Sequence, residues 1–410
     1  MASDGGKPLP LDDALAIVRE RLKPVSDIGP LPLASALGRI LGTSLKAPRA
    51  LPPFDNTAVD GYAFRRADAS ETGPARLALA GESAAGLPFS GTVPAGAAIR
   101  ISTGAVLPEG ADTVAMQEDC RRDGDAVVVE PVPPVGANIR RAGADIQAGD
   151  LAAAAGTRLR AGDIALLGAL GFTELPVRRK LRMAIASTGT ELREGGADLK
   201  PGQIVETNGL MLAHLVAPLP VKVTMLETLP DDRALTETAL KTAAATHDLI
   251  VTTGGVSVGD HDHVRPALMS AGAAHFWRLT LRPGKPVLFG EIGGAAMVGL
   301  PGNPVSAFVT FLMVVRPVID RLMGVPVTPF AGFPVRLAAP LNKSATLREF
   351  ARARLEWDGK EPRAVPYRDQ SSNLLTSLSW ADGLLDLPAG LSSFAVGDLV
   401  TYRPIQLLAS

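Results

Sequence analysis

Apolar and polar positions follow two rhythms along this chain, and the change of rhythm divides it into regions. Between residues 181 and 323, short apolar runs are each followed by a stretch whose apolar positions recur every three to four residues. The runs at 181–187, 221–227, 249–253, 286–290 and 296–299 read as buried strands, and 275–281 as a further strand. The stretches at 208–217, 231–246, 264–271 and 305–323 read as helices, the second capped by Asp231 or Asp232. Strand and helix in alternation predict a parallel sheet with helical crossovers. Elsewhere the rhythm differs. Leu11, Ala14, Leu15, Val18 and Leu22 share one helical face, and 160–170 reads as another helix. Residues 61–145 are β-rich, with short strands at 76–81, 98–103 and 125–130 bounded by Gly, Pro and Asp, and 139–149 forms a polar connector. Beyond Pro326 alternation returns at 333–337, 348–357 and 363–367, with Trp357-Asp358-Gly359-Lys360 as a hairpin turn. This predicts a separate small β domain.

Composition narrows the function classes. A chain of 410 residues exceeds one ordinary core, so two to four domains are expected. A formal net charge of −1 argues against a general nucleic-acid or membrane-surface binder. Any bound anion must be held by a local basic cluster. The single cysteine, Cys120, excludes a disulfide framework and a cysteine-based zinc site within one chain. No basic segment followed by an apolar one opens the sequence, and no run of 18 apolar residues exists. A cytoplasmic protein is expected.

Three of the apolar strands run directly into glycine-bearing loops with polar groups. These are Ser187-Thr188-Gly189-Thr190-Glu191, Thr253-Gly254-Gly255-Val256-Ser257-Val258-Gly259-Asp260, and Leu300-Pro301-Gly302-Asn303-Pro304-Val305-Ser306. An open α/β sheet binds its ligand at the carboxyl ends of its strands, and glycine lets backbone N–H groups approach an anion. One anion-binding crevice is therefore expected near residues 180–325. Asp260 and Asp262 suit a hard cation bridging to phosphate oxygens. His261 and His263 invite a zinc reading, but ordinary capping or surface roles serve them as well. Glu191 reads either as a Mg²⁺ ligand or general base, or as a carboxylate at a helix start. The lysine and hydroxyl pair of a Walker A loop is absent.

Further groups are less specific. Arg278, Arg282 and Lys285 place three cations in eight residues of a Pro- and Gly-stiffened loop, a density suited to a multiply charged anion. Pro304 can open a helix whose N-terminus would take an anion, while Asn303 or Ser306 can simply cap it. Asp55 and Asp60, on a Pro- and Gly-bounded loop, read as a cation site or as turn chemistry. Thr103 ends a strand. Ser371, Ser372 or Asn373 reads as a helix cap, with substrate contact as the alternative.

Taken together these stretches resemble the molybdopterin molybdenumtransferase family, bacterial MoeA and the E domain of gephyrin. The matching pieces are Phe54-Asp55-Asn56-Thr57-Ala58-Val59-Asp60-Gly61-Tyr62-Ala63, Ser102-Thr103-Gly104-Ala105, Gly136-Ala137-Asn138-Ile139-Arg140-Arg141, the three glycine loops, and Pro283-Gly284-Lys285-Pro286. They occur in family order, and Ala381-Asp382-Gly383-Leu384 resembles the family's last domain.

The resemblance implies an α/β plus β architecture in an elongated L-shaped subunit of four domains. These are a discontinuous mixed domain (1–55 with 146–178), a β-rich domain (56–145), a molybdopterin-binding-like α/β domain (179–328) and a C-terminal β-barrel-like domain (329–410). It implies Mg²⁺-assisted insertion of molybdenum from molybdate into adenylylated molybdopterin with release of AMP. It also implies a homodimer whose active site lies between the α/β domain of one subunit and residues 56–145 of the other. By position, catalytic roles fall on Asp60, Thr103, Glu191, Asp231 and Asp262, and metal binding on Glu191, Asp260 and Asp262. Substrate contacts fall on Arg140, Thr188, Gly254, Gly255, Ser257, Arg278, Arg282, Lys285, Asn303 and Ser306. Positions 278 and 282 are lysines in the family's bacterial pattern, and arginine keeps the charge without titrating. A molybdopterin adenylyltransferase and recipient molybdoenzymes are implied protein partners. Rival readings are that adenylyltransferase itself, a gephyrin-like scaffold and an unrelated metal-dependent phosphohydrolase.

Overall fold

The computed structural model describes residues 8–256, 262–326, 331–357 and 359–406. Its central sheet has six strands in the order Val221–Met225, Leu181–Ser187, Leu249–Thr253, Ala295–Leu300, Leu288–Ile292, Ala273–Trp277. The first four run parallel. The last two are antiparallel to their neighbours, so the sheet is mixed rather than all-parallel. The cause is local. Gly293 and Gly294 have φ of 56° and 88°, which lets a two-residue turn fold Ile292 back onto Ala295 where a helical crossover would otherwise stand.

Alternation along the strands sends side chains to two cores. Met183, Ile185, Leu249, Val251, Val298 and Leu300 face one side, packed by Leu11–Arg21, Asn208–Val216 and the chain from Pro304 to Met323. Ala184, Ile250 and Met297 face the other, packed by Arg233–Ala244 and Val264–Ala271. Burial on both faces explains why these strands read as continuous apolar runs. The stretch 305–323, expected as one helix, is α-helical over Pro304–Thr310 and Arg316–Met323 with a π turn over Phe311–Val315 between them. Pro317 has no N–H to donate to the preceding turn and its ring crowds that turn, so the helix widens there.

The expected strand 275–281 also divides. Ala273–Trp277 stays in the central sheet, Arg278 turns with φ 89°, and Leu281–Arg282 pairs with Arg348–Glu349 instead. That pairing joins the sheet region to a closed five-stranded barrel of Arg348–Trp357, Pro362–Pro366, Phe333–Leu337, Leu399–Pro404 and Gly383–Leu387, the last strand returning to the first. Elsewhere Ile28–Pro32 pairs with Glu174–Arg178, and Leu45–Lys46 with Leu151–Ala153. These pairings bury Leu41, Leu159, Leu167, Leu175 and Val177. Between those chain segments lies a six-stranded sheet built from residues 61–129. No helix among the described residues is long and apolar enough to cross a membrane.

Asp248 ties the amino ends of two central strands. It accepts from Arg179 Nη1 and Nη2 at 2.6 and 2.8 Å, and from the Arg182 N–H and Nη2 at 2.8 and 3.0 Å. Burial alone would raise its pKa, but the donated hydrogen bonds prevail and hold it well below the ordinary carboxylate range. A depressed folded-state pKa contributes stability above the unfolded value and loses it as pH falls through the folded one. Asp248→Asn should therefore cost about 2 kcal/mol near neutral pH, allowing for partial solvent screening. The gap from wild type should shrink below about pH 4. Urea unfolding at a series of pH values checks both.

Candidate functional site

Register places the three loop-bearing strand ends in one row. Ser187 pairs with Thr253, and Thr253 with Leu300. The loops that begin at Thr188, Gly254 and Pro301 leave the sheet side by side and are stitched together at once. Thr188 N–H donates to the Thr253 carbonyl at 2.9 Å, and Gly254 N–H to the Leu300 carbonyl at 3.0 Å. Asn208 Nδ2, on the first helix of the sheet region, donates to Thr253 Oγ1 at 2.8 Å and to the Gly302 carbonyl at 2.7 Å. Gly254 has φ 89°, and a Cβ there would lie 2.6 Å from Thr188 Oγ1. Only glycine lets these two loops close.

The row opens into a crevice of three joined chambers. The first, about 460 Å³, is lined by Thr188, Glu191, Asp231, Gly254, Gly255, Asp262 and Asn303 among others. It therefore gathers Glu191, Asp231 and Asp262, which lie up to 71 residues apart. Gly189 has φ 139° and any side chain there would collide with the Glu191 carboxylate, so this glycine is what lets Glu191 fold back over the loop. The second, about 720 Å³, shares Thr188, Glu191 and Asn303 and adds Glu206, Asn208 and Asn373. Glu206 accepts from Ser187 Oγ at 2.9 Å and Gly209 N–H at 2.7 Å. The third, about 380 Å³, is lined by Arg282, Lys285, Ser306, Ser371, Ser372 and Asn373 among others. One end of the crevice is thus acidic and the other basic.

The structure resolves the ambiguous caps. Asp232 caps Arg233–Ala244, accepting from Leu235 N–H at 2.9 Å. Asp231 instead turns to the first chamber and accepts from Thr190 N–H and Oγ1 at 3.3 and 3.0 Å. Asn303 stands at the N-cap position of Pro304–Thr310, but its side chain makes no capping bond. It donates to Ser372 Oγ at 3.2 Å, and the Ser372 carbonyl accepts the Val305 N–H at 3.1 Å. Ser371, Ser372 and Asn373 precede rather than cap the helix Leu375–Trp380, and they line the basic chamber.

Sequence reasoning missed the group that holds this last loop. Arg352 is fully buried and donates to the Asp369, Gln370 and Ser371 carbonyls at 3.2, 3.1 and 2.9 Å, and to Ser377 Oγ at 3.1 Å. Burial lowers its pKa to about 10, so it stays charged at neutral pH. Within an alternating β pattern an arginine reads as solvent-facing, and no local signal marks this one as interior. Asn208 and Glu206 were also missed. Their position beside a helix start was legible, but the tertiary closeness of Thr253 and Gly302 was not.

Other expected residues lie apart from the crevice. Arg278 stacks on the Trp277 indole at 4.1 Å, as does Arg265 at 4.0 Å. Asp60 and Thr103, 43 residues apart, form a pair on the sheet of residues 61–129. Asp60 Oδ1 accepts the Thr103 N–H at 2.6 Å and Oγ1 at 2.8 Å, bonds that hold its carboxyl below the ordinary range. Arg140 is exposed and lies opposite Asn56 in a short strand pair. None of these lines the chambers of the same chain. Ser257, Asp260 and His261 lie outside the described residues. Among the described residues no three acidic, histidine or cysteine side chains cluster tightly enough to hold a metal unaided.

The division of labour between neighbouring aspartates is testable. Asp232→Ala should cost about 1 kcal/mol through the lost cap. Asp231→Ala should leave the thermal midpoint within a degree or so of wild type, since its bonds among the described residues are to the exposed Thr190 loop. Calorimetric melting of both variants checks this.

Comparison with known proteins agrees with the geometry. The family model for the MoeA N-terminal region (domains I and II) matches residues 9–171. That for a probable molybdopterin binding domain matches 184–321, and that for the MoeA C-terminal region (domain IV) matches 334–405. A molybdopterin molybdenumtransferase of Haemophilus influenzae is 40% identical over 317 residues, covering 77% of this chain and 78% of that protein. Molybdopterin molybdenumtransferase 2 of Mycobacterium tuberculosis is 36% identical over 383 residues, covering 90% and 92%. The crystal structure of the molybdopterin biosynthesis MoeA protein of Pyrococcus horikoshii OT3 superposes with a TM-score of 0.84 at 30% identity, covering 97% and 99%. With the three strand-end loops falling inside the molybdopterin-binding match, the chain belongs to the MoeA family of molybdopterin molybdenumtransferases, enzymes of molybdenum cofactor biosynthesis.

Proposed function

We propose that this enzyme takes adenylylated molybdopterin and molybdate, cleaves the adenylate and places molybdenum on the dithiolene with release of AMP, assisted by Mg²⁺. The observation that carries this reading is the polarity of the crevice: carboxylates at 191, 231 and 262 at one end, Arg282 and Lys285 at the other, with glycine loops between. A dianionic oxoanion suits the basic end, where Arg282 and Lys285 attract it and Ser306, Ser371 and Ser372 offer hydroxyls. The ring system and its phosphate suit the middle, where Thr188, Gly254, Gly255, Ser257 and Asn303 would supply donors. Arg278, stacked on Trp277, would stiffen the basic loop.

Oxygen donors from Glu191 and Asp262, with Asp260, fit a hard cation completed by water and substrate phosphate oxygens. When bound, Mg²⁺ would neutralise charge on the departing phosphoryl group. The chain's own part is to hold the diphosphate between acidic and basic walls and to keep Asp231 oriented through Thr190.

A homodimer is part of the proposal. The Asp60–Thr103 pair is preorganised and exposed, yet it lines none of the three chambers described above. Asp60 of the partner subunit would complete the site, with Arg140 beside it. The proposed compartment is the cytoplasm, and a molybdopterin adenylyltransferase and recipient molybdoenzymes are the proposed protein partners.

Glu191→Ala and Asp60→Ala should each lower molybdenum incorporation from adenylylated molybdopterin by about 100-fold or more, with folding unchanged. AMP release by wild type should depend on molybdate. Full activity in both variants, or AMP release indifferent to molybdate, would remove the transferase reading in favour of a phosphohydrolase.

A further inference from the structure

Beneath the basic chamber lies a buried carboxylate that the proposed reaction does not use. Glu349 belongs to the barrel strand Arg348–Trp357 and is 3% exposed. It shares a strand face with Ala351 and Ala353, which line the barrel core. Among the described residues its Oε2 has no hydrogen-bond partner. The parallel pairing of Arg282 with Glu349 sets the two side chains on the same side of the joined strands, and Arg282 Nη1 lies 3.7 Å from Glu349 Oε2. The Arg282 side chain is 48% exposed, so it reaches from the buried acid to the chamber that it lines.

Two more cations share this acid's field. Lys343 is buried and donates through Nζ to the Ser344 and Leu347 carbonyls at 3.0 and 2.7 Å. Arg352 is occupied with the 369–371 carbonyls and Ser377. Burial holds the Glu349 carboxyl above its ordinary value, and the charges of Arg282, Lys343 and Arg352 offset that only in part. Leu347 and Arg282 both line the chamber wall. A negative charge here opposes any anion in the chamber and orients the half-exposed Arg282 at its rim.

We infer that Glu349 is a positioning residue for Arg282: from the C-terminal barrel it holds the guanidinium at the chamber rim and, by its charge, limits how tightly the chamber retains an oxoanion. This rests on the reading of the basic chamber as the oxoanion site. It gives a physical reason for arginine at position 282. The planar fork can face an acid with one edge and a ligand with the other, which a lysine ammonium cannot do with fixed geometry. It also makes the barrel a contributor to the site rather than a remote appendage.

The test is calorimetric titration of the full-length enzyme with sodium molybdate alone at about pH 8, well above the ordinary carboxylate range. Glu349→Gln should bind molybdate roughly three- to tenfold more tightly than wild type, from the loss of one nearby like charge. Glu349→Asp keeps the charge and should bind as wild type does. In an Arg282→Ala background the Gln substitution should give a smaller gain, because the cation it orients is gone. Equal or weaker binding by folded Glu349→Gln, or an undiminished gain without Arg282, would overturn the inference alone. No molybdate binding by wild type would overturn the oxoanion reading beneath it as well. If Glu349→Gln does not fold, Glu349→Asp combined with Arg282→Lys keeps the question open to measurement: it should loosen molybdate at least as much as Arg282→Lys alone, and tighter binding would contradict the positioning role.

Discussion

Main-chain hydrogen bonding between three parallel strands sets Ser187, Thr253 and Leu300 in one row, and the rest of the site depends on that register. A shift of one residue in either pairing would turn apolar side chains out of their cores and carry the following loop out of line. The shift is opposed from both faces, because Met183, Ile185, Val251 and Val298 fill one core and Ala184, Ile250 and Met297 the other. Burial far from the crevice therefore fixes the position of the loops that line it. Asn208 then fastens two of those loops directly.

The second constraint is charge. Carboxylates line one end of the crevice and cations the other. Ion pairs that tie strands together lie away from it, as at Asp248 with Arg179 and Arg182, or Asp386 with Arg348 and Arg403. Arg352 is the exception that supports the site: it spends its donors on backbone carbonyls and so fixes the 369–371 loop beside Arg282 and Lys285. The barrel thus shapes the basic end, while the sheet region shapes the acidic end.

Much of this was legible in the sequence because burial on two faces writes strands as apolar runs and because glycine marks each strand-to-loop exit. Glu191 and Asp262 could be picked out since each sits just beyond such an exit, whereas Asp231 read as a possible helix cap and gained a site role only through the family resemblance. What escaped was set by tertiary context. The hairpin at Gly293-Gly294 replaced a crossover with a turn, so the sheet became mixed. Arg278 left the strand through a positive φ that sequence patterning does not reveal, which handed Leu281 and Arg282 to the barrel. The choice between Asp231 and Asp232 as cap turned on a single residue of helix phase. Arg352 and Glu349 lie inside a strand whose alternation looks half-exposed, because a closed barrel abutting another domain buries both faces of that strand.

The central claim is that the strand-end crevice is half of a site, completed by the Asp60–Thr103 pair of a second subunit. Subunit mixing tests it most directly. Asp60→Ala and Glu191→Ala proteins, each inactive alone, would be unfolded, mixed in equal amounts and refolded together, then assayed for molybdenum incorporation. A shared site leaves one intact crevice in each mixed dimer, so activity should return to about a quarter of the wild-type value. Mixtures no more active than either variant, from proteins shown to have exchanged subunits, would contradict it.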